Sequence, residues 1–293
     1  GVPVKQYGRR LVVEFPIAIL KGELNFLWEK FDMLEDIEQD ILVQSNGIDV
    51  EVDGHVKEWQ YVADELYGMQ LEREWMRSNG SESTRVCVID TGLPSYARDL
   101  FLYTVQGYDF ISSDSISMDG DGRDPDPSEV TEIRNHECLY PSFHGSKMAI
   151  AIAGKHGDVR SVAQNVTIEP IRVLNTCGRG LANDVTDAIV WAAGGVIDEL
   201  GINPQPCQII SLSLSGNGEC PSYLQSAITL ANDLGALVVA SSGNGAENSV
   251  DVFPANCVGV IAVSASTRQG FLAPYSNWGS NVFVTAPGGD DVN

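Results

Sequence analysis

Residues 86–92 read Val-Cys-Val-Ile-Asp-Thr-Gly, a short apolar run that ends in an aspartate and a glycine. A β-branched run of this length is typical of a buried strand, and the glycine allows the chain to turn sharply where the strand ends. The aspartate, Asp90, is therefore expected at the carboxyl end of a strand, which is where functional sites lie in open α/β sheets. An ordinary turn at a strand end is the alternative interpretation.

Similar apolar runs follow along the chain, and helical patterns separate them. The runs occupy residues 168–174, 209–214, 237–240, 258–263 and 282–284. One predicted helical face consists of Val185, Ile189 and Ala192, and a second consists of Leu224, Ile228, Ala231 and Leu234, with Gly235 placed to end that helix. This alternation predicts an α/β fold, a doubly wound and mostly parallel sheet with helices on both faces.

The composition and the N-terminal part of the chain set further limits. The 293 residues include 40 acidic and 18 basic side chains, a formal charge of −22. Since no basic stripe offsets phosphate, nucleic acid and anionic membrane surfaces are not expected as partners, and no apolar run is long enough to predict a membrane span. Residues 1–60 mix strand and helix patterns, which predict a small α+β segment before a main domain at 61–293; an irregular extension is the alternative.

Two more segments place reactive side chains at the ends of predicted elements. His144 opens a small-residue apolar helix, and histidine is the side chain best suited to move a proton near neutral pH. Asn244 lies between two glycines after a buried run, where its amide can donate a hydrogen bond to a developing oxyanion. A structural histidine and a turn asparagine are the alternatives. Gly178 and Gly180 mimic part of a dinucleotide-binding turn, but the third glycine is missing, so a nucleotide-binding module is the weakest hypothesis.

In their order along the chain, these segments resemble the subtilisin-like serine proteases, most of all the secreted bacterial members. Asp90 matches the aspartate of the family's triad, His144 matches the general base in its His-Gly-Thr segment, and Asn244 matches its oxyanion asparagine. Residues 211–216, Ser-Leu-Ser-Leu-Ser-Gly, are similar to the family's substrate-lining strand, which implies peptide contacts at Ser213, Leu214, Ser215 and Gly216. The resemblance covers roughly residues 61–293 and implies a serine endopeptidase that acts on peptide or protein substrates.

The nucleophile of that family is missing from the sequence as given. The Gly-Thr-Ser-Met-Ala segment that carries the serine does not occur up to Asn293, so a fragment or precursor with little or no activity of its own is expected. Ile150, Ser161 and Ser215 also replace glycines that are usual in the family. These changes motivate a second hypothesis, a catalytically inactive homologue that binds peptides or proteins.

The six cysteines are compatible with disulfides and an oxidising compartment. From the residues alone, Cys87 and Cys207 are better read as buried thiols, because each lies in or next to an apolar run. The resemblance implies two disulfides, Cys138–Cys177 and Cys220–Cys257, and a secreted protein.

An acidic loop and the N-terminal segment complete the expectations. Asp119, Asp121 and Asp124 alternate with glycines, a pattern that suits structural Ca²⁺; a solvated acidic loop is the alternative, and the resemblance favours calcium. Residues 34–46 are similar to the end of a subtilase propeptide, which implies that the segment binds its own catalytic domain in cis.

Overall fold

The computed structural model describes residues 60–61, 67–130, 141–156, 159–198 and 200–289. The strands are β1 (Arg85–Asp90), β2 (Tyr103–Thr104), β3 (Tyr108–Asp109), β4 (Lys155–His156), β5 (Val159–Arg160), β6 (Thr167–Arg172), β7 (Ile209–Leu212), β8 (Gly216–Asn217), β9 (Leu237–Ser241), β10 (Val252–Phe253), β11 (Val260–Ser266) and β12 (Val282–Pro287). The helices are α1 (Glu72–Trp75), α2 (Asp114–Ser117), α3 (His144–Ala153), α4 (Ala182–Ala192) and α5 (Ser222–Asp233). The predicted α+β segment lies outside the described residues, apart from residue 60.

A parallel sheet forms the centre of the fold. Its strand order is β12-β11-β9-β7-β1-β6-β2, and β3 also pairs with β6. Every pairing in this sheet is parallel, while β8–β10 and β4–β5 form two small antiparallel pairs. The six predicted apolar runs are β1, β6, β7, β9, β11 and β12, so the prediction of a mostly parallel α/β sheet is confirmed.

The strand β1 shows how the sheet is covered on both faces. Val86 and Val88 pack in a cluster with residues of α3, whereas Cys87 and Ile89 pack in a second cluster with residues of α4 and α5. Successive side chains of a strand point to opposite faces, so a run that is apolar at every position needs a helix on each side. The continuous apolar stretch therefore specifies a sheet buried between two helical layers.

The two predicted helical faces are confirmed with one exception. The first face is buried on α4, and Leu224, Ile228 and Ala231 are buried on α5. Leu234, which we expected on the same face, is 52% exposed, because α5 ends at Asp233 and Leu234 is already its capping residue. Gly235 follows with φ +92°, the left-handed conformation in which glycine ends helices. In the described part of the chain, no helix combines the length and apolarity needed to cross a membrane.

The disulfides correct one prediction and support another. Cys220 and Cys257 form the predicted bond. Cys87 and Cys207, which we expected to be thiols, are also bonded to each other. The reason is the pairing of β1 with β7, which brings the chain entering β7 beside β1 and sets the two Cα atoms 5.8 Å apart. Cys177 is disulfide-bonded as well, and its predicted partner, Cys138, lies outside the described residues.

Candidate active site

The end of β1 and the start of α3 bring Asp90 and His144 together. The Nδ1 atom of His144 lies 2.8 Å from Oδ2 and 2.9 Å from Oδ1 of Asp90, and each residue is 1% exposed. A carboxylate at this position holds the proton on Nδ1 and makes Nε2 the basic nitrogen of the imidazole. The pair thus has the geometry of a general base with its orienting acid.

Glycines permit the close approach of the two elements that carry this pair. A Cβ on Gly145 would lie 2.6 Å from the carbonyl oxygen of Gly92 and 3.2 Å from Cβ of Asp90. Gly92 itself has φ +94°, and a Cβ there would lie 2.2 Å from the carbonyl oxygen of Pro127. The helix can therefore meet the strand end because Gly145 has no side chain, and Gly92 allows the turn after the strand to pass close to Pro127.

Gly145→Ala is expected to separate His144 from Asp90 and to cost about 1–3 kcal/mol of unfolding free energy, because the added methyl group overlaps backbone atoms that cannot move away. Thermal unfolding measures the stability. Gly122→Ala is the control, since a Cβ there would meet no atom closer than 3.4 Å. Equal stability of the two variants would contradict the role of Gly145.

A buried carboxylate that the sequence analysis missed lies behind the pair. Oε2 of Glu129 accepts the hydroxyl proton of Thr91 at 2.9 Å, and Oε1 accepts the backbone N–H of Phe143 at 2.9 Å. Burial, followed by the nearby charge of Asp90, raises the pKa of Glu129 to about 8, against the lowering effect of its hydrogen bonds. Nothing in the sequence around Glu129 distinguishes it from the other loop acids.

This pKa predicts a pH dependence of stability. Between about pH 4.5 and 8 the folded protein keeps a proton on Glu129 that the unfolded chain releases, so the contribution of Glu129 to stability falls as pH rises through this window. Glu129→Gln removes that titration. We expect the Tm of the wild type relative to this variant to fall between pH 5 and pH 8; a relative rise would contradict the pKa. Groups for which no interaction with Glu129 is among the causes of their pKa shift, such as Asp109, titrate in both proteins and cancel in the comparison.

Asn244 lies just beyond β9 and is 7% exposed, and its side-chain oxygen has no hydrogen-bond partner among the described residues. The turn before it is fixed by Gly243, which has φ +96°, and by Asn277, whose N–H donates to the carbonyl of Gly243 at 2.8 Å. Because β9, β7 and β1 are neighbours in a parallel sheet, their carboxyl ends share one edge. Asn244 is thus at the same edge as Asp90.

The predicted substrate-lining residues follow β7 at this edge. Ser213, Leu214 and Ser215 lie outside any strand; Leu214 and Ser215 are buried, and Ser213 is half-buried. Gly216 begins β8, and a Cβ there would lie 2.3 Å from the ring of Phe253. Peptide contact at these positions stays a prediction.

The three loop aspartates are not gathered as ligands of one ion. Among the described residues, the group of side chains that converges in the manner of a metal site does not include Asp119, Asp121 or Asp124. Asp119 instead contacts the fully buried guanidinium of Arg172, which also contacts Asp109. Burial raises the pKa of Asp109 to about 7, although Arg172 opposes the shift. Of the three loop aspartates, Asp119 is thus already paired with a buried cation in this structure.

Calcium stays a prediction of the sequence, and thermal unfolding tests it. A structural ion at this loop requires that CaCl₂ raises the Tm, that EGTA lowers it, and that Asp121→Asn abolishes the difference. An unchanged Tm would contradict the calcium prediction.

Comparison with known proteins places this chain in a family. A model of the subtilase family matches residues 81–293. The extracellular protease of Xanthomonas campestris is 39% identical over 231 residues, 75% of this chain and 39% of that protein. The extracellular basic protease of Dichelobacter nodosus is 35% identical over 246 residues, 79% of this chain and 40% of that protein. The chain therefore spans about two fifths of the length of these two relatives.

The chain covers a larger share of the length of two further proteins. A solved structure described as proteases from Pseudoalteromonas arctica has a TM-score of 0.72 and 38% sequence identity, and the likeness covers 80% of this chain and 71% of that one. Thermitase of Thermoactinomyces vulgaris is 30% identical over 232 residues, 78% of this chain and 72% of that protein. With the Asp90–His144 pair and the Asn244 turn at one sheet edge, these matches show that the chain belongs to the subtilase family.

Proposed function

We propose that this chain supplies the general base, its orienting aspartate and the oxyanion asparagine of a serine endopeptidase. The observation that carries the proposal is the buried 2.8 Å contact between His144 Nδ1 and Asp90 Oδ2. Asn244 at the same sheet edge adds a side-chain amide that can stabilise an oxyanion. The names of the two extracellular relatives, both proteases, agree with this chemistry.

The proposed reaction is acyl transfer. Nε2 of His144 takes the proton of a serine hydroxyl while the serine oxygen bonds to the peptide carbonyl carbon, and the carbonyl electron pair moves to oxygen, where the Asn244 amide donates to it. When the oxyanion collapses, the C–N bond breaks and Nε2 returns the proton to the leaving amine. Water then attacks the acyl group by the same route and releases the carboxylic acid. Asp90 stabilises the imidazolium formed in each half.

We propose an extended polypeptide as the substrate, bound alongside residues 213–216. These residues follow β7 directly at the catalytic edge, and residues 213–215 lie outside the strands, so their backbone could pair with an extended substrate. We also propose that the protein is secreted. Disulfides in the described part of the chain, together with relatives named as extracellular, support an oxidising environment. Binding of residues 1–60 in cis stays a prediction.

Hydrolysis of an unfolded protein substrate tests the proposal. The protein expressed from its complete reading frame is expected to cleave the substrate, and His144→Ala is expected to abolish cleavage while the circular dichroism spectrum is kept. Cleavage that survives in this variant would overturn the proposed role of His144. A folded protein that binds the substrate without cleaving it would favour the inactive-homologue hypothesis instead.

A further inference from the structure

The buried carboxylate of Glu129 lies between the strand that ends in Asp90 and the helix that begins with His144. Glu129 is 3% exposed, and its two oxygens accept hydrogen bonds from Thr91 and Phe143, both at 2.9 Å. Thr91 follows Asp90 in the chain, and Phe143 precedes His144. Asp90 and His144 are therefore each adjacent in the chain to a residue that donates a hydrogen bond to Glu129.

The same network provides acceptors for the first amides of α3. Helix N-termini present N–H groups that have no partner within the helix. Here the N–H of Phe143 donates to Glu129, the N–H of His144 donates to the Ser142 hydroxyl at 3.3 Å, and the N–H of Gly145 donates to the Thr91 hydroxyl at 3.0 Å. Since Thr91 in turn donates to Glu129, the strand end and the helix start are joined through one carboxylate.

The N–H of Phe143 that donates to Glu129 belongs to a residue with an unusual backbone conformation. Phe143 has φ +49°, a left-handed conformation that is strained for a bulky residue. Its N–H contact with Glu129 helps to hold the turn that presents His144 to Asp90. Asp90 and Tyr96 both interact electrostatically with Glu129, and the negative charge of Asp90 opposes the ionisation of Glu129. Burying an acid beside another acid is costly, which indicates that the position has a use.

We infer that Glu129 is a positioning residue of this site, which holds His144 against Asp90 through the Phe143 amide and the Thr91 hydroxyl. The inference rests on the proposed function, and it deepens it: Glu129 would act through Thr91 and Phe143, which are its hydrogen-bond partners. Its removal should change the geometry of the Asp90–His144 hydrogen bond and the chemical step that depends on it, rather than substrate binding.

The experiment uses the protein expressed from its complete reading frame and two readouts. The first is the low-field proton resonance of His144 Nδ1–H, assigned by its loss in His144→Ala. The second is the separation of kcat from KM. For Glu129→Ala we expect the resonance to shift or broaden and kcat to fall about tenfold to a hundredfold, with KM nearly unchanged. Glu129→Gln should keep the His144 resonance and kcat close to those of the wild type. Its amide oxygen still accepts from Phe143, and its NH₂ group can donate to Thr91.

Glu169→Ala is the matched control. Glu169 is also 3% exposed and also hydrogen-bonded, but it lies in β6 opposite Cys87, away from the strand ends that carry the site. This variant is expected to lose stability while the resonance and kcat stay as in the wild type. The inference is overturned if Glu129→Ala has the wild-type resonance and the wild-type kcat. It is also overturned if Glu169→Ala changes the resonance and kcat as much as Glu129→Ala does.

If Glu129→Ala does not fold, the His144 resonance is measured in Thr91→Val and Thr91→Ser instead. Valine removes the hydroxyl that links Glu129 to the Gly145 amide, and serine keeps it. A changed resonance in the valine variant alone supports the inference, and an unchanged resonance in both overturns it. Because the resonance needs no turnover, this result is read separately from the failure or success of the proposed peptidase activity.

Discussion

Asp90→Asn is expected to lower kcat of the full-length protein about ten-thousand-fold without unfolding it. The Asp90 carboxylate can only accept from Nδ1 of His144, at 2.8 Å. An asparagine amide can place a donor there instead, which moves the imidazole proton to Nε2 and removes the base that the reaction needs. Steady-state kinetics on a peptide substrate measure the effect, and thermal unfolding shows that the fold is kept.

Asp184→Asn is the matched control for this variant. Asp184 is as buried as Asp90 and accepts a hydrogen bond from Arg123 at 2.9 Å, but it lies in the first turn of α4. Its replacement should lower the Tm and leave kcat close to that of the wild type. If Asp90→Asn retained wild-type kcat, the Asp90–His144 contact would be structural.

Asn244→Ala is expected to lower kcat about a hundredfold to a thousandfold, with a much smaller change in KM. The amide donates to the oxyanion of the transition state more strongly than to the ground-state carbonyl, so its loss affects the chemical step. The position permits this role because the Gly243–Asn277 contact fixes the turn that follows β9.

Asn203→Ala controls for the loss of a buried amide elsewhere. Asn203 is buried, and its side chain donates to Glu169 at 3.2 Å. This variant should lose stability and keep kcat. An Asn244→Ala variant that raises KM as much as it lowers kcat/KM would indicate substrate binding rather than oxyanion stabilisation.

The parts of the site that the sequence predicts are those set by local pattern. Val86 to Ile89 are apolar at every position, which requires a strand covered on both faces, and such a strand carries Asp90 to the edge of the sheet. Asn244 follows β9 in the same way, and His144 begins α3. Once each residue is placed at the end of its element, the parallel sheet brings the strand ends together.

The parts that the sequence does not predict depend on contacts between distant loops. Glu129 lies 38 residues from Thr91 along the chain, and no periodicity links the two. The Cys87–Cys207 disulfide spans 120 residues and follows from the neighbouring positions of β1 and β7, which a single sequence does not fix. The contact between Asp119 and Arg172 spans 53 residues, and nothing in the acidic loop itself predicts it.

Labelling with a serine-reactive fluorophosphonate tests the central claim most directly, because the probe reacts only where a serine hydroxyl is activated by a neighbouring base. The protein expressed from its complete reading frame would be labelled beside its His144→Ala variant, and the modified residue identified by mass spectrometry. The Asp90–His144 pair predicts one labelled serine in the wild type and none in the variant. Absence of label in the folded wild type, or equal labelling of the two proteins, would contradict the account.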